Sequence, residues 1–567
     1  MARARSLVIA MAAMMGLAAC GGGAAGPTAQ APVKGGTMTV AVWQEPNTLY
    51  PYYATQTVSQ VVFETALEGL VQVLPDGTYN AVLAREVPTT GNGGVKISPD
   101  GRRMDVTYHL KAGLKWADGQ PVTSDDVRFT WQAIMKDPKV TSRGGYDQIE
   151  SVETPDPLTA VVHYGSIYAA YASRFSMSGG AGSPILPKHV LEKEADISKS
   201  DFVRTPFGTG PFKITEFKSA DHITAERNPN YREAGKPYLD RIIFRSVPSR
   251  EVALAQLKAG EVDAMWNLLE AQLPDVEKQT DIKVRAVPSP SVERLEFNLA
   301  KPANPADQNV PHPVLGDINV RHALVLATPK KQLVDKLLFG KATIAQSTLS
   351  IGWAAPKDVH QDDYNPTKAK QLLDQSGWVP GPDGIRVKNG VRASLKITTT
   401  TGDKIREEIE QVLIDEWRQI GVALEVSNIP SSVLFGSWSG NAPRKRGNFD
   451  VNMYASSPDI DPQETVAQRF GCENIPRPEN NGLGFNYYRY CDSQTDQLIK
   501  QAGSIVDQDK RKQLYSAILK RVNDAHISVW LYNRANIDAY RANVGGYKDN
   551  GWDNLTWNSQ DWFVTRK

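Results

Sequence analysis

SLKIT at 394–398, KIREEIEQVLIDEWRQI at 404–420 and ALEV at 423–426 follow one another with only short turns between them. In the middle segment Ile405, Ile409, Val412, Leu413, Trp417 and Ile420 recur at helical spacing, so they form one apolar face. Gly421 then stops the helix. Two short apolar runs on either side of an amphipathic helix are the signature of a strand–helix–strand unit, which places the chain in the α/β class. Working outward, helices are expected at about Val320–Leu326, Lys330–Phe339, Lys368–Gln375, Thr495–Ser504 and Asp509–Asn523, with a strand at Ile527–Tyr532. The tail from Gly545 is rich in Trp and Asn and reads as irregular.

The first half has a different texture, mostly strand and turn. Thr37–Val42 is a short strand, and Val58–Leu70 has helical spacing. Met104, Val106, Tyr108 and Leu110 alternate with polar residues, as in a half-buried strand. Asp118-Gly119 signals a turn. Thr123 with Asp126 three positions on predicts a capping box, opening a helix that carries Val127, Trp131 and Ile134. Phe212–Tyr231 reads as two strands around a turn at 219–221, and Arg241–Val247 as another. Ser249 caps a helix that ends at Gly260, and Glu261–Trp266 returns as a strand. A Pro-rich stretch at Pro288 and Pro290 marks the change of texture. It divides two α/β lobes with mixed sheets, and Ile527–Tyr532 is the expected point of return.

The N-terminus reads as a targeting segment. Arg3 and Arg5 precede an apolar run, Leu7–Ala19, which is too short to span a bilayer. Residues 1–19 are therefore expected to be a signal peptide. Leu17-Ala18-Ala19-Cys20 resembles the bacterial lipobox, in which the signal is cut before a cysteine that carries lipid; the alternative is an ordinary cut near Ala19. Residues 20–35, rich in Gly, Ala and Pro, fit a tether.

The 567 residues suggest at least two domains. With 64 Lys+Arg against 63 Asp+Glu, nothing favours nucleic acid. The basic run Arg444-Lys445-Arg446 reads as a solvated loop. Besides Cys20, the chain has Cys472 and Cys491. In an exported protein that pair is expected to form a disulfide, with two buried thiols as the alternative. The eight His form no metal-ligating motif, so neither metal nor cofactor is expected. Gly436-Ser437-Trp438-Ser439-Gly440 has Trp where a nucleophile elbow needs Ser. Acidic pairs such as Asp125/Asp126 and Asp459/Asp461 read as caps and turns. With no catalytic constellation, the chain reads as a binding protein, not an enzyme.

Several blocks then carry a resemblance. Leu110–Val127, Gly208-Thr209-Gly210-Pro211-Phe212, Glu226–Tyr231, Leu257–Asp263, Phe297-Asn298, Val320–Leu324 and Asp461-Pro462 follow the order of the extracellular solute-binding protein family 5. Its members are the oligopeptide-, dipeptide- and nickel-binding components of ABC importers. The resemblance implies a two-lobed periplasmic-binding-protein-like fold with an interlobe ligand cleft. Lobe I would hold Gly36–Pro290 and Asp538–Lys567, with an inserted subdomain at about Phe63–Pro187, and lobe II Ser291–Ile537. It also implies a peptide or other small solute as ligand, an ABC permease with its ATPase subunits as partners, and a monomer held by lipid at the outer face of the cytoplasmic membrane or in the periplasm.

Peptide-binding members anchor the peptide amine on an aspartate three residues ahead of an Asp/Glu-Pro pair. In that register this chain has Pro458, and Asp459 lies one residue late. Asp459 is the expected ligand residue if the loop shortens. Glu45, Tyr454 and Trp438 match or adjoin cleft-lining segments and complete the candidate ligand set. The departure at Pro458 keeps open a non-peptide solute: an oligosaccharide, a nickel chelate or another small metabolite. An exported hydrolase and a sensory receptor on the same fold are the remaining alternatives.

Overall fold

The computed structural model describes residues 31–54, 56–177, 182–302, 310–436 and 438–565. The expected signal peptide and Cys20 lie outside the described residues.

A mixed sheet of eleven strands runs through the molecule. Its order from one edge is Ala423–Val426, Ser394–Thr398, Val451–Ser456, Ile282–Phe297, Ser528–Arg541, Ala264–Met265, Thr37–Val42, Arg241–Ser246, His222–Arg227 and Phe212–Lys218. Thr343–Ile344 pairs beside Ser528–Arg541. The strand–helix–strand unit forms one edge, with 394–398 and 423–426 parallel. Its helix, Lys404–Gln419, fully buries Ile409, Leu413 and Trp417, and the Asp403 side chain caps it by accepting from the Arg406 N–H.

Two central strands tie the lobes together. Ile282–Phe297 and Ser528–Arg541 have 16 and 14 residues, and they pair antiparallel from Ile282 opposite Arg541 to Glu296 opposite Ser528. Sixteen residues reach about 50 Å, long enough to cross both lobes. One end packs in a core with Ala41, Leu254, Leu257 and Met265. At the other end, Leu295, Phe297, Val529 and Leu531 join Leu324, Ile397 and Trp417.

Pro288 and Pro290 lie inside the first crossing strand. The ladder slips between Pro288 and Val292. Such a bulge is where a sheet tolerates residues without an N–H. Side chains replace the lost rungs: Asn533 Nδ2 donates to Ser289 O at 3.1 Å, and Ser289 Oγ donates to Arg534 O at 2.9 Å.

Three further expectations change. The helix expected over 58–70 ends at Phe63, because the chain must run extended past Gly69, where a Cβ would lie 2.5 Å from Phe175 O. The tail is not wholly irregular: Val544–Gly545 pairs with Phe563–Val564 over buried Trp562. Arg444-Lys445-Arg446 is no solvated loop; it belongs to a one-turn helix, Pro443–Arg446, with Arg444 buried. A disulfide joins Cys472 and Cys491, whose Cα atoms are 4.7 Å apart.

Between the strands of the first lobe stands a four-stranded antiparallel sheet, in the order Val95–Ile97, Met104–His109, Thr159–Tyr164, Ile149–Asp156. Met104, Val106 and Tyr108 point to its buried side, and helix Ser124–Lys136 starts from the Thr123/Asp126 capping box. A smaller sheet, Tyr79–Ala81, Val71–Val73 and Ser176–Met177, lies beside it.

Candidate ligand site between the lobes

The site is organised by the loop between strand Val451–Ser456 and helix Gln463–Phe470. Ile460, in the middle of that loop, packs with Val73 of the inserted subdomain and Trp552 of the C-terminal segment; Tyr79 and Ile351 lie against them. Trp353 Nε1 donates to Ile460 O at 3.0 Å. One loop residue therefore contacts both lobes, and its neighbours face the seam.

The two acids flanking Ile460 have opposite environments. Asp461 is buried, and Arg511 donates to both its oxygens at 2.5 Å. That bidentate pair, with the Gln463 N–H donating to Asp461 Oδ1 at 3.1 Å, holds the start of the helix and commits the charge of Asp461 to Arg511. Asp459 is exposed, and its carboxylate accepts one weak bond, from Thr465 Oγ1 at 3.3 Å. Its neighbour Ile460 packs against Val73 and Tyr79 across the seam. Desolvation raises its pKa, and Arg174, Thr465 and Arg469 pull it only partly back. An accessible carboxylate in a poorly solvated recess is suited to accept an ammonium ion. Pro458, at the position expected for the anchor, is buried and offers no charge.

Two arginines act on the Asp459 charge, one from each lobe. Arg174, in the inserted subdomain, donates to Gly144 O and to Ser173 Oγ, and lies 5.6 Å from the Tyr146 ring centre. Arg469 donates to Thr348 Oγ1 at 2.5 Å, Ser456 Oγ at 2.6 Å and Ser457 O at 3.3 Å. The Tyr79 hydroxyl is buried with no hydrogen-bond partner, and burial together with the nearby Asp461 charge raises its pKa.

Deeper, the crossing strand carries Glu293, Arg294 and Glu296, all fully buried. Glu293 accepts from Arg406 Nε at 3.0 Å and Arg534 Nη2 at 2.7 Å. Burial raises its carboxyl, but Arg534 and Arg406 outweigh this, and the net shift is downward. Glu296 is likewise net lowered by Arg444 and Arg294 against burial, each arginine at 3.0 Å.

Tyr454 closes this network: its hydroxyl accepts from Arg294, and its ring lies 3.6 Å from the Arg444 guanidinium. The other face of Arg444 lies 3.9 Å from Tyr487. Trp438 stacks against Arg446 at 3.8 Å and packs on Gly482, where a Cβ would approach within 2.4 Å. Tyr454 and Trp438 thus sit on one basic–aromatic wall, bordered by exposed Phe435 and Phe485. Glu45 is elsewhere. Its carboxylate accepts from Ser219 Oγ and from the Ala220 N–H, which fixes the turn at 219–221, where Ala220 has φ +59°.

Arg174, Arg469 and Tyr79 escaped the sequence reading. Arg174 and Tyr79 lie in short elements without a motif. Arg469 is on the helix opened by the recognisable Asp461-Pro462 pair, one turn past Thr465, so that motif could have led to it. Among the described residues no group of three or more His, Cys, Asp or Glu is placed to hold a metal ion, and no helix is long and apolar enough to cross a membrane.

A two-lobed body with charged groups facing an interlobe seam invites comparison with known binders. Residues 79–476 match the bacterial extracellular solute-binding proteins, family 5 middle. The chain belongs to this family. It is 28% identical over 573 positions to the oligopeptide-binding protein AppA of Bacillus subtilis, covering 99% of this chain and 98% of that one. Identity to di/tripeptide-binding protein 1 of Pseudomonas aeruginosa is 25%, over 82% of each chain. Among solved structures, Bacillus subtilis AppA in complex with a nonapeptide superposes with a TM-score of 0.68 at 26% identity, covering 94% of this chain and 100% of that one. NikZ of Campylobacter jejuni, in complex with Ni(L-His), superposes at 0.71 with 24% identity, over 93% and 99%. That likeness speaks for the fold alone. As a family 5 member the chain is a two-lobed α/β solute-binding protein of the ABC importer type.

Proposed function

We propose that this family 5 protein captures peptides in the interlobe cleft and hands them to an ABC permease driven by its ATPase subunits. In this reading it works as a monomer outside the cytoplasmic membrane, tethered by lipid on Cys20, and returns its ligand intact. Asp459 carries the proposal. It is the accessible carboxylate of the recess, while Asp461, two residues on, is committed to Arg511. A peptide ammonium on Asp459 would pair a desolvated charge, and contacts on both lobes would favour the closed form. The peptide complexes of relatives support the same reading.

Native mass spectrometry with a peptide pool, half of it N-acetylated, tests it. Free-amine peptides should be retained unchanged in mass, acetylated ones rejected, and Asp459→Asn should abolish the preference. Equal retention of both halves would remove Asp459 as the anchor; cleaved products would favour the hydrolase. Pro458 in the anchor register favours a second reading, a non-peptide solute in the same cleft. Retention of a sugar or nickel chelate with no peptide would establish that one.

A further inference from the structure

We infer that the pocket at the bulge of the crossing strands is a second binding site, which takes a small amphipathic carboxylate and, when filled, holds the lobes in the arrangement seen here. None of the cleft residues Asp459, Tyr454, Trp438, Arg174 and Arg469 lines it. The inference goes beyond the proposed function and rests on no identity of the cleft solute.

Its floor is the bulge itself. Pro288 and buried Asn533, one from each crossing strand, lie there, and Asn533 Nδ2 ties the bulge together through Ser289 O at 3.1 Å. The wall is the lobe II chain over 343–360, which starts at strand Thr343–Ile344. The volume is about 350 Å³, within the range of small-molecule sites. Ile344, Leu349, Ile351 and Val359 make much of the wall apolar. At the rim stand Lys357 and His360, both exposed, and neither has an ion pair or side-chain hydrogen bond among the described residues. None of the described lining residues is acidic. Asp358, between the two cations in sequence, is turned away and accepts from Ser516 Oγ of helix Gln508–Asp524 at 2.8 and 3.0 Å. An apolar wall that ends in two basic side chains without a counter-charge fits an apolar body with one carboxylate at its outer end.

The same wall makes the lobe contact. Ser350 and Ile351 line the pocket, and Ile351 also lies against Val73 and Trp552 of lobe I and Ile460 of lobe II. The next residue, Gly352, sits so close to lobe I that a Cβ there would come within 2.4 Å of the Trp552 ring. Trp353 Nε1 then donates to Ile460 O at 3.0 Å. Residues 350–353 thus take part in both the pocket and the seam. A solute packed against Ser350 and Ile351 would restrain the segment on which lobe I rests. Occupancy therefore favours this lobe arrangement, and by linkage the arrangement favours occupancy. Pro288 and Asn533 add to the coupling, because they lie where the strands pass from one lobe to the other and a hinge concentrates its motion in a few such residues.

The test uses the purified full chain with hexanoate as probe. Hexanamide lacks its charge and acetate lacks its apolar body. Calorimetry reads binding, hydrogen exchange reads the lobe contact, and circular dichroism confirms folding. Hexanoate should bind about ten-fold tighter than either of the other two. Lys357→Gln with His360→Gln should remove the preference over hexanamide, and Thr343→Trp should weaken hexanoate and hexanamide alike. All three positions are exposed, so the variants should fold. Hexanoate should also slow exchange at 350–353 and, across the seam, at 550–553, and Thr343→Trp should abolish both effects. No binding of hexanoate, equal binding of hexanoate and hexanamide, or unchanged hexanoate binding by the folded variants overturns the site. Slower exchange at 350–353 alone keeps the site and overturns its coupling to the lobes. Neither readout uses a peptide, so failure here and failure of the peptide reading are told apart.

Discussion

Glu293 and Glu296 on the crossing strand are each answered by two arginines, whereas among the described residues Arg174 and Arg469 have no carboxylate within 4 Å. The residue types are the same, but their roles differ. Charge that is fully paired inside one lobe holds a geometry. Charge left short of partners at the seam is free to meet a ligand. Removing a member should therefore cost stability in the first region and binding in the second.

The largest effect is expected on the crossing strand. Glu293→Ala leaves Arg406 and Arg534 with only the more distant Asp403, 3.6 Å from each, and loss of one partner from a buried pair costs about 3–5 kcal/mol. Thermal unfolding should show a clear drop in Tm, and a loss under about 1 kcal/mol would mean that water reaches the network. Next comes Cys472→Ser with Cys491→Ser. The bond closes a loop with a sequence separation of 19, worth about 3 kcal/mol if it acts by restricting the unfolded chain. Denaturation with and without reductant should give matching losses, and a variant indifferent to reductant but as stable as the oxidised wild type would contradict this.

A third prediction concerns like charges. Glu64 and Asp553 are buried side by side in the first lobe; Glu64 accepts from Thr556 Oγ1 at 2.9 Å, and one oxygen of each acid has no partner. Burial, with Asp553 adding to it, raises Glu64 well above the carboxylate range, and burial pushes Asp553 up to about 6. Arg285 moderates Asp553, while Glu68 and Arg232 line the small cavity beside Glu64. Both native pKa values exceed the unfolded ones, so the folded state binds the extra proton. The stability gained from the bound protons is full at low pH and falls as pH rises above the unfolded carboxylate range of about 4, through about 6 for Asp553 and further up for Glu64. Glu64→Gln should flatten that fall and stabilise the protein at pH 8 by on the order of 2 kcal/mol. Parallel Tm-against-pH curves for the two proteins would show that the acids do not share a proton.

How much of this was legible depended on distance along the chain. Helix Lys404–Gln419 and its flanking strands were readable because an amphipathic period is local. The strand through Pro288 was not, since its partner begins at Ser528 and only pairing across that distance makes a bulged strand of a stretch with two prolines. Arg444 read as solvent-facing for the same reason: Glu296, Tyr454 and Tyr487 all come from elsewhere. At the site, the Asp-Pro motif located the loop, but which of its two acids is free depends on Arg511, half a hundred residues later. Arg174 and Tyr79 had no local signal at all.

The smallest expected change in stability is also the sharpest test of the contrast. Asp459 and Asp461 flank the same isoleucine and carry the same group. Asp461→Asn would leave Arg511 buried without its counter-charge and with an amide NH2 facing one of its N–H groups, and the helix start should loosen with a lowered Tm. Asp459→Asn removes a carboxylate that desolvation already disfavours and that accepts one long bond, so stability should stay within about 0.5 kcal/mol of the wild type or rise slightly. Ligand retention should be lost all the same. A fall in Tm comparable to that of Asp461→Asn would show that Arg174 and Arg469 use Asp459 as their counter-ion. Their charge would then already be met within the protein, and the two regions would differ only in how far apart their pairs lie.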